Sequence, residues 1–186
     1  MNTAAATAEH TKTMVMISLM AAVICILGPL SLAIPISPVP ISLTNLAVYF
    51  TIYVLGTKKG TISYLIYLLI GLIGIPVFSG FTGGPAKLLG PTGGYLIGFI
   101  FMALLSGLCI EHTENRNVHF IGMLLGTAVC YLFGTVWLAK LAGMSFGAAL
   151  TAGVIPFIPG DLTKIILALL IGPTIRARLS KAGFAA

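Results

Sequence analysis

Acidic residues are nearly missing from this sequence. Asp and Glu together number four, and charged residues of both signs make up 8% of its 186 positions. A soluble domain carries roughly 25% charged residues, so a water-facing surface cannot be built from this chain. Cysteine is just as scarce: Cys25, Cys109 and Cys130 are scattered through apolar runs without metal-ligand spacing. An odd, dispersed count argues against a disulfide framework, and the three read as small packing residues. Also missing are a Gly-x-x-x-x-Gly-Lys-Ser/Thr phosphate loop, a His-Glu-x-x-His helix and any nucleophile–base pair. His112 beside Glu111 reads as a solvated loop rather than a metal site. An enzyme is therefore the weaker class, and no cofactor is expected.

What the sequence has in abundance is apolar surface. Hydrophobic residues make up 58% of it, and the mean hydropathy is +1.10. The formal charge is +6, from ten Lys and Arg. In a nucleic-acid binder such bases cluster among aromatics on a polar face. Here they stand at the ends of apolar stretches, which points to membrane orientation and away from a nucleic-acid partner. The first apolar stretch, from Thr13, runs too long for a signal-peptide core and reads as the first membrane span.

No charged residue occurs from Thr13 to Thr57, a run of 45 positions. About 20 residues cross a bilayer as a helix, so the run holds two spans. They break at Pro35-Ile36-Ser37-Pro38-Val39-Pro40, where each proline removes a backbone donor. Lys58 and Lys59 close the second span, and a third runs from Gly60 to about Pro76. A fourth runs from about Gly93 to Ile110, a fifth from Val118 to Ala139, and a sixth from near Pro159 to near Arg176. The expectation is an all-α integral membrane protein of six transmembrane helices. Residues 1–12 and 179–186 would be short tails around a membrane domain of residues 13–178.

Basic residues in short loops mark the cytoplasmic side. With six spans, Lys12, Lys58, Lys59, Arg116, Arg176, Arg178 and Lys181 share one side, against only Lys87 and Lys140 on the other. That imbalance puts both termini in the cytoplasm and the chain in the cell membrane. One acid and one base do not fit the pattern. Asp161 is the one acid away from the cytoplasmic side, and Lys164, three residues on, is the one base inside a span.

Ionisable groups at membrane depth usually mark a pathway or a ligand site. Residues three apart share a helix face, so Asp161 and Lys164 can point into one cavity. The preceding Pro159-Gly160 makes Asp161 a plausible helix N-cap. A carboxylate accepts N–H bonds and an ammonium donates to oxygen, which suits a cyclic urea or amide. The competing account is an internal salt bridge that only locks the helix. A purely structural pair is a poor choice, however, because apolar residues often stabilise as well or better.

Between the third and fourth spans, Phe78 to Gly94 is rich in glycine and repeats Thr-Gly-Gly twice, at residues 82–84 and 92–94. Glycine permits close backbone approach, so this segment reads as a lid or wall on the same side as Asp161. Gly94 and Gly98, Gly122 and Gly126, and Ser18 and Ala22 show small-x-x-x-small spacing, a helix-packing signal either within the chain or toward a partner.

Gly90-Pro91-Thr92-Gly93-Gly94-Tyr95-Leu96-Ile97-Gly98-Phe99 and Pro156-Phe157-Ile158-Pro159-Gly160-Asp161-Leu162-Thr163-Lys164 resemble the two hallmark motifs of the BioY family. These proteins are the biotin-specific substrate-binding (S) components of energy-coupling factor transporters. The stretch Val39 to Leu46 also resembles the start of the family's second helix. The resemblance implies six helices, with biotin held in an outward-facing cavity by Asp161 and Lys164. It further implies contacts from Thr44, Asn45, Phe81, Thr82, Gly90, Thr92, Gly93 and Tyr95, with the loop covering the site. Ser18 and Ala22 would face the transmembrane coupling subunit, and two cytoplasmic ATPases would drive the cycle. One departure stands out: the family reads Phe-Thr-Leu-Gln-Thr-Leu after the prolines, and here Thr44 shortens the Gln contact. The rival readings are an S component for another small vitamin, and a membrane-embedded enzyme or scaffold that uses the charged pair structurally.

Overall fold

The computed structural model describes residues 3–184, with side chains from residue 7 onward. Of the two expected tails, residues 1, 2, 185 and 186 lie outside the described residues. The first helix, α1 (Thr3–Leu27), leads into a short antiparallel ribbon of β1 (Ser31–Leu32) and β2 (Ile41–Ser42). The ribbon pairs Ser31 with Ser42 and Leu32 with Ile41, leaving the proline run as its tip. Prolines without N–H donors suit that exposed position and would have broken a helix.

The long α2 (Thr44–Leu72) contains the expected second and third spans. The break falls at Gly56 rather than at Lys58 and Lys59, since Gly56 adopts φ 75° and ψ −177° inside the helix. A side chain there would be strained, and a Cβ would also land on Glu111 Oε1. The halves, residues 44–55 and 57–72, are about 18 and 24 Å long at 1.5 Å per residue. The carboxylate of Glu111 replaces the interrupted helical bonding. It accepts from Thr57 N at 2.7 Å and Thr57 Oγ1 at 2.6 Å.

A short α3 (Pro85–Leu89) lies in the glycine-rich segment, followed by α4 (Gly93–His112) and α5 (Arg116–Ala142). The chain then passes through α6 (Phe146–Gly153) and a 3₁₀ turn at Ile155–Phe157 into α7 (Ile158–Lys181). By length and apolarity α1, α4, α5 and the α6–α7 stretch suffice to cross a membrane. With the two halves of α2 the bundle has six principal helices.

Both halves of α2 contribute to the core: Tyr49, Ile52, Tyr64 and Tyr67 are fully buried, beside Met102 of α4, Met123 of α5 and Ile165 of α7. Buried phenols need partners. Tyr49 reaches Thr127 Oγ1 at 2.6 Å, and Tyr64 donates to the Leu96 carbonyl at 2.7 Å. The glycine pairs pack inside the chain. A Cβ on Gly98 would meet Cys130, one on Gly122 would meet Cys109, and one on Gly94 would meet Trp137. These contacts bring α4 and α5 together and give Cys109 and Cys130 the packing role expected of them. Ser18 and Ala22 differ: both are exposed on α1, on a face that also exposes Val15, Leu19 and Ile26. At one end of the bundle α1 meets the segment that follows α7, with the Lys12 ammonium 4.9 Å from the centre of the Phe184 ring.

Candidate functional site

A cavity lies between the heads of α2 and α7 and the facing sides of α4 and α5. Its polar lining includes Ser42, Thr44 and Asn45 from the ribbon and α2, Thr92 and Tyr95 at the start of α4, and Thr127 and Tyr131 of α5. Asp161 and Lys164 of α7 complete it, while Leu96, Phe99, Met102 and Phe157 supply apolar wall. Asp161 and Lys164, 8% and 7% exposed, are therefore buried charges, which must be paired and hydrogen-bonded to persist.

Asp161 Oδ1 accepts from Lys164 Nζ and from Asn45 Nδ2, each at 2.9 Å. Its Oδ2 accepts from the Tyr131 hydroxyl at 2.6 Å. Lys164 Nζ also donates to the Ser42 carbonyl at 2.6 Å. A carboxylate has about four acceptor sites and an ammonium three donors. Among the described residues one acceptor site on Asp161 and one donor on Lys164 thus remain unspent, in a pair that lines the cavity. A pair that only locked the helix would have no use for that spare capacity.

The sequence-predicted N-cap is corrected. Phe157 precedes the first residue of α7, and Pro159, Gly160 and Asp161 all lie in its first turn. Proline fits the first helical turn, where no N–H partner is required. The Asp161 side chain turns inward to Asn45, Lys164 and Tyr131 instead of capping backbone.

The glycine-rich segment splits into parts near to and far from the cavity. Phe78 and Thr82 bridge across a tight turn in which Gly80 and Phe81 have φ of 76° and 54°. The turn buries Phe78, which stands edge-on to Tyr67 at 5.5 Å between ring centres, and leaves Phe81 65% exposed. Partial burial pushes the Lys87 ammonium below its usual value. Farther on, Trp137 Nε1 donates to the Gly90 carbonyl at 2.9 Å. Tyr95 donates to the Gly153 carbonyl at 2.8 Å, tying α4 to α6.

Of the sequence-predicted residues, the structure brings together Asp161, Lys164, Thr44, Asn45, Thr92 and Tyr95 around the cavity. It places Phe81, Thr82, Gly90 and Gly93 outside that lining. The sequence reading did not single out Tyr131, Ser42 or Tyr67. Tyr131 had a faint signal, a polar aromatic within an apolar span one turn after Thr127. Ser42 acts through its carbonyl, which no sequence pattern announces. Tyr67 lines the cavity, and its hydroxyl has no hydrogen-bond partner among the described residues.

The chain is similar to known proteins over most of its length. A family model described as "BioY family" matches residues 1–181. A probable biotin transporter BioY of Pyrococcus horikoshii is 42% identical over 140 residues, covering 75% of this chain and 82% of that protein. Biotin transporter BioY2 of Lactococcus lactis is 37% identical over 175 residues, covering 92% and 95%. A crystal structure of the S-component for biotin from an ECF-type ABC transporter superposes with a TM-score of 0.84 at 35% identity, covering 95% of each chain. A family match over nearly the whole length, joined to relatives covered almost end to end, makes this chain a member of the BioY family.

Proposed function

We propose that this chain is the biotin-binding membrane subunit of an energy-coupling factor uptake transporter. The observation that carries the reading is the buried Asp161–Lys164 pair, which lines the cavity and has one acceptor and one donor without a partner among the described residues. The bicyclic ureido group of biotin has the matching complement, two N–H donors and a carbonyl oxygen. In this reading Asp161 accepts a ureido N–H and Lys164 donates to a ligand oxygen. Asn45 and Tyr131 hold the carboxylate in place so that little reorganisation is needed on binding. Thr44, Thr92 and Tyr95 supply further polar wall, and Phe99 and Phe157 accommodate the aliphatic part. Phe81, Thr82, Gly90 and Gly93 belong to the segment through which ligand enters and leaves.

The orientation follows from the distribution of bases, seven on the side of the termini against two on the other. That puts the termini in the cytoplasm and the cavity toward the outside. The exposed Ser18 and Ala22 on α1 would meet the transmembrane coupling subunit, whose two ATPases supply the energy. Small residues there permit close helix approach.

Binding of labelled biotin to detergent-purified protein tests the reading. Wild type should bind tightly, and Asp161→Asn and Lys164→Ala should each lose binding while remaining monodisperse. Competition by riboflavin or thiamine that matched unlabelled biotin would reassign the ligand. Unaltered binding in both variants would remove the pair from the site.

A further inference from the structure

At the bundle end where α1 meets the segment that follows α7, two adjoining clefts share Arg116. One, of about 280 Å³, is lined by Arg116, Arg176, His119, Tyr53, Ser180 and Glu114. The other is lined by Arg116 again with Arg178, Lys181 and Pro173. His119 is already committed, with Nε2 at 2.7 Å from the Thr113 carbonyl and Nδ1 at 3.2 Å from the Tyr53 hydroxyl. Arg176 gives one N–H to the Ile110 carbonyl at 3.3 Å. Among the described residues the two clefts are thus lined by four cations, Arg176 in the first, Arg178 and Lys181 in the second and Arg116 in both, and by one carboxylate, Glu114. Among the described residues the only ion pair is Lys164–Asp161, far along α7, so none of the four is neutralised by one.

We propose that these clefts bind the phosphodiester headgroup of an anionic phospholipid. Guanidinium groups match phosphate oxygens in forked geometry, and basic pockets between helices at a membrane face recognise such headgroups. What favours a lipid over free phosphate is the apolar surface exposed on the same two helices, α5 and α7. Within a few turns of Arg116, α5 exposes Ile121, Leu124 and Leu125, and just before Pro173 α7 exposes Leu170 and Ile171. An acyl chain has an apolar path there, and inorganic phosphate has no need of one. The inference does not depend on what the central cavity binds.

Thermal unfolding of the full chain in a neutral detergent tests it, with dioleoyl phosphatidylglycerol, dioleoyl phosphatidylcholine and inorganic phosphate as separate additives. A ligand that binds only the folded state raises the midpoint. Phosphatidylglycerol should raise the wild-type midpoint, and the other two should not. The Arg116→Gln/Arg178→Gln double variant should need about 25-fold more of that lipid for the same shift, roughly fivefold per cation removed. Lys58→Gln/Lys59→Gln, with the same change in net charge at the same end, should respond like wild type. The single Arg178→Gln, at an exposed position, should show about a fivefold loss even if the double variant folds poorly. Equal losses in the two double variants would overturn the proposal, leaving bulk charge as the cause. A full shift with phosphate alone, or with phosphatidylcholine, would overturn it too.

Discussion

Asp161 and Glu111 are both acids that help hold this bundle together, yet they do different work. Glu111 stands at the end of α4 and spends its carboxylate on Thr57 N and Oγ1. It repairs the break in α2 that Gly56 creates. Asp161 stands at the head of α7 and accepts from three side chains, Asn45, Tyr131 and Lys164. Glu111 serves one segment distant in sequence, at Thr57, whereas Asp161 lines a cavity. On the function proposed above, what separates the two acids is the cavity that Asp161 lines and Glu111 does not, since each carboxylate keeps acceptor capacity in reserve. Charge alone would have ranked the two acids together.

Removing the ammonium should widen the contrast most. Lys164→Ala leaves Asp161 uncompensated, and truncating one partner of a buried charge pair costs about 2–5 kcal/mol in binding. Biotin affinity should fall about a hundredfold or more, measured by isothermal titration. Glu111→Gln should leave that affinity within about twofold and appear instead as a loss of stability, by the roughly 1.5–3 kcal/mol of a hydrogen bond to a charged group, read from the unfolding midpoint. A large affinity loss in Glu111→Gln would erase the distinction. Gly56→Ala comes next. It imposes a left-handed φ on a side chain and drives its Cβ onto Glu111 Oε1, so a loss of about 1–3 kcal/mol in stability is expected. Tyr131→Phe removes one donor to the Asp161 carboxylate, a charge-assisted bond worth about 1.5–3 kcal/mol, only part of which reaches the ligand. Affinity should drop roughly fivefold and the midpoint should fall as well, and a variant as tight as wild type would show that Asn45 and Lys164 suffice. Phe81→Ala should have the smallest effect, under about twofold on equilibrium affinity, because the ring is exposed and outside the cavity lining. A larger change would bring the turn at residues 78–82 into the binding surface.

Much of this could be read in the sequence, for a physical reason. In a chain with so few charges each one is conspicuous, so Asp161 and Lys164 stood out, and they do form a buried pair, while Arg116, Lys140 and Lys181 fall at or near helix ends. The proline run broke the first pair of spans where it stood, because proline acts locally. The break in α2 was harder. Lys58 and Lys59 drew attention to themselves, but the residue that permits the break is Gly56, and Glu111, which completes it, lies 54 residues away from Thr57. Phe78 and Phe81 look equivalent in a glycine-rich stretch. Only the bridge between Phe78 and Thr82 determines which ring goes inward. Tyr131 escaped because nothing adjacent in sequence says that α5 faces the head of α7. Local chemistry was legible, and pairings between distant elements were not.

The chain has a single tryptophan, and its indole is hydrogen-bonded to Gly90 and packed against Gly93 and Gly94. Nature has therefore placed one intrinsic fluorophore at the junction between the glycine-rich segment and the helix that bears Thr92 and Tyr95. Any rearrangement of that segment during ligand entry changes the polarity around one emitter. If the segment opens and closes as proposed, stopped flow on the unlabelled protein should show a change in emission on biotin binding, with no second tryptophan to confuse the signal.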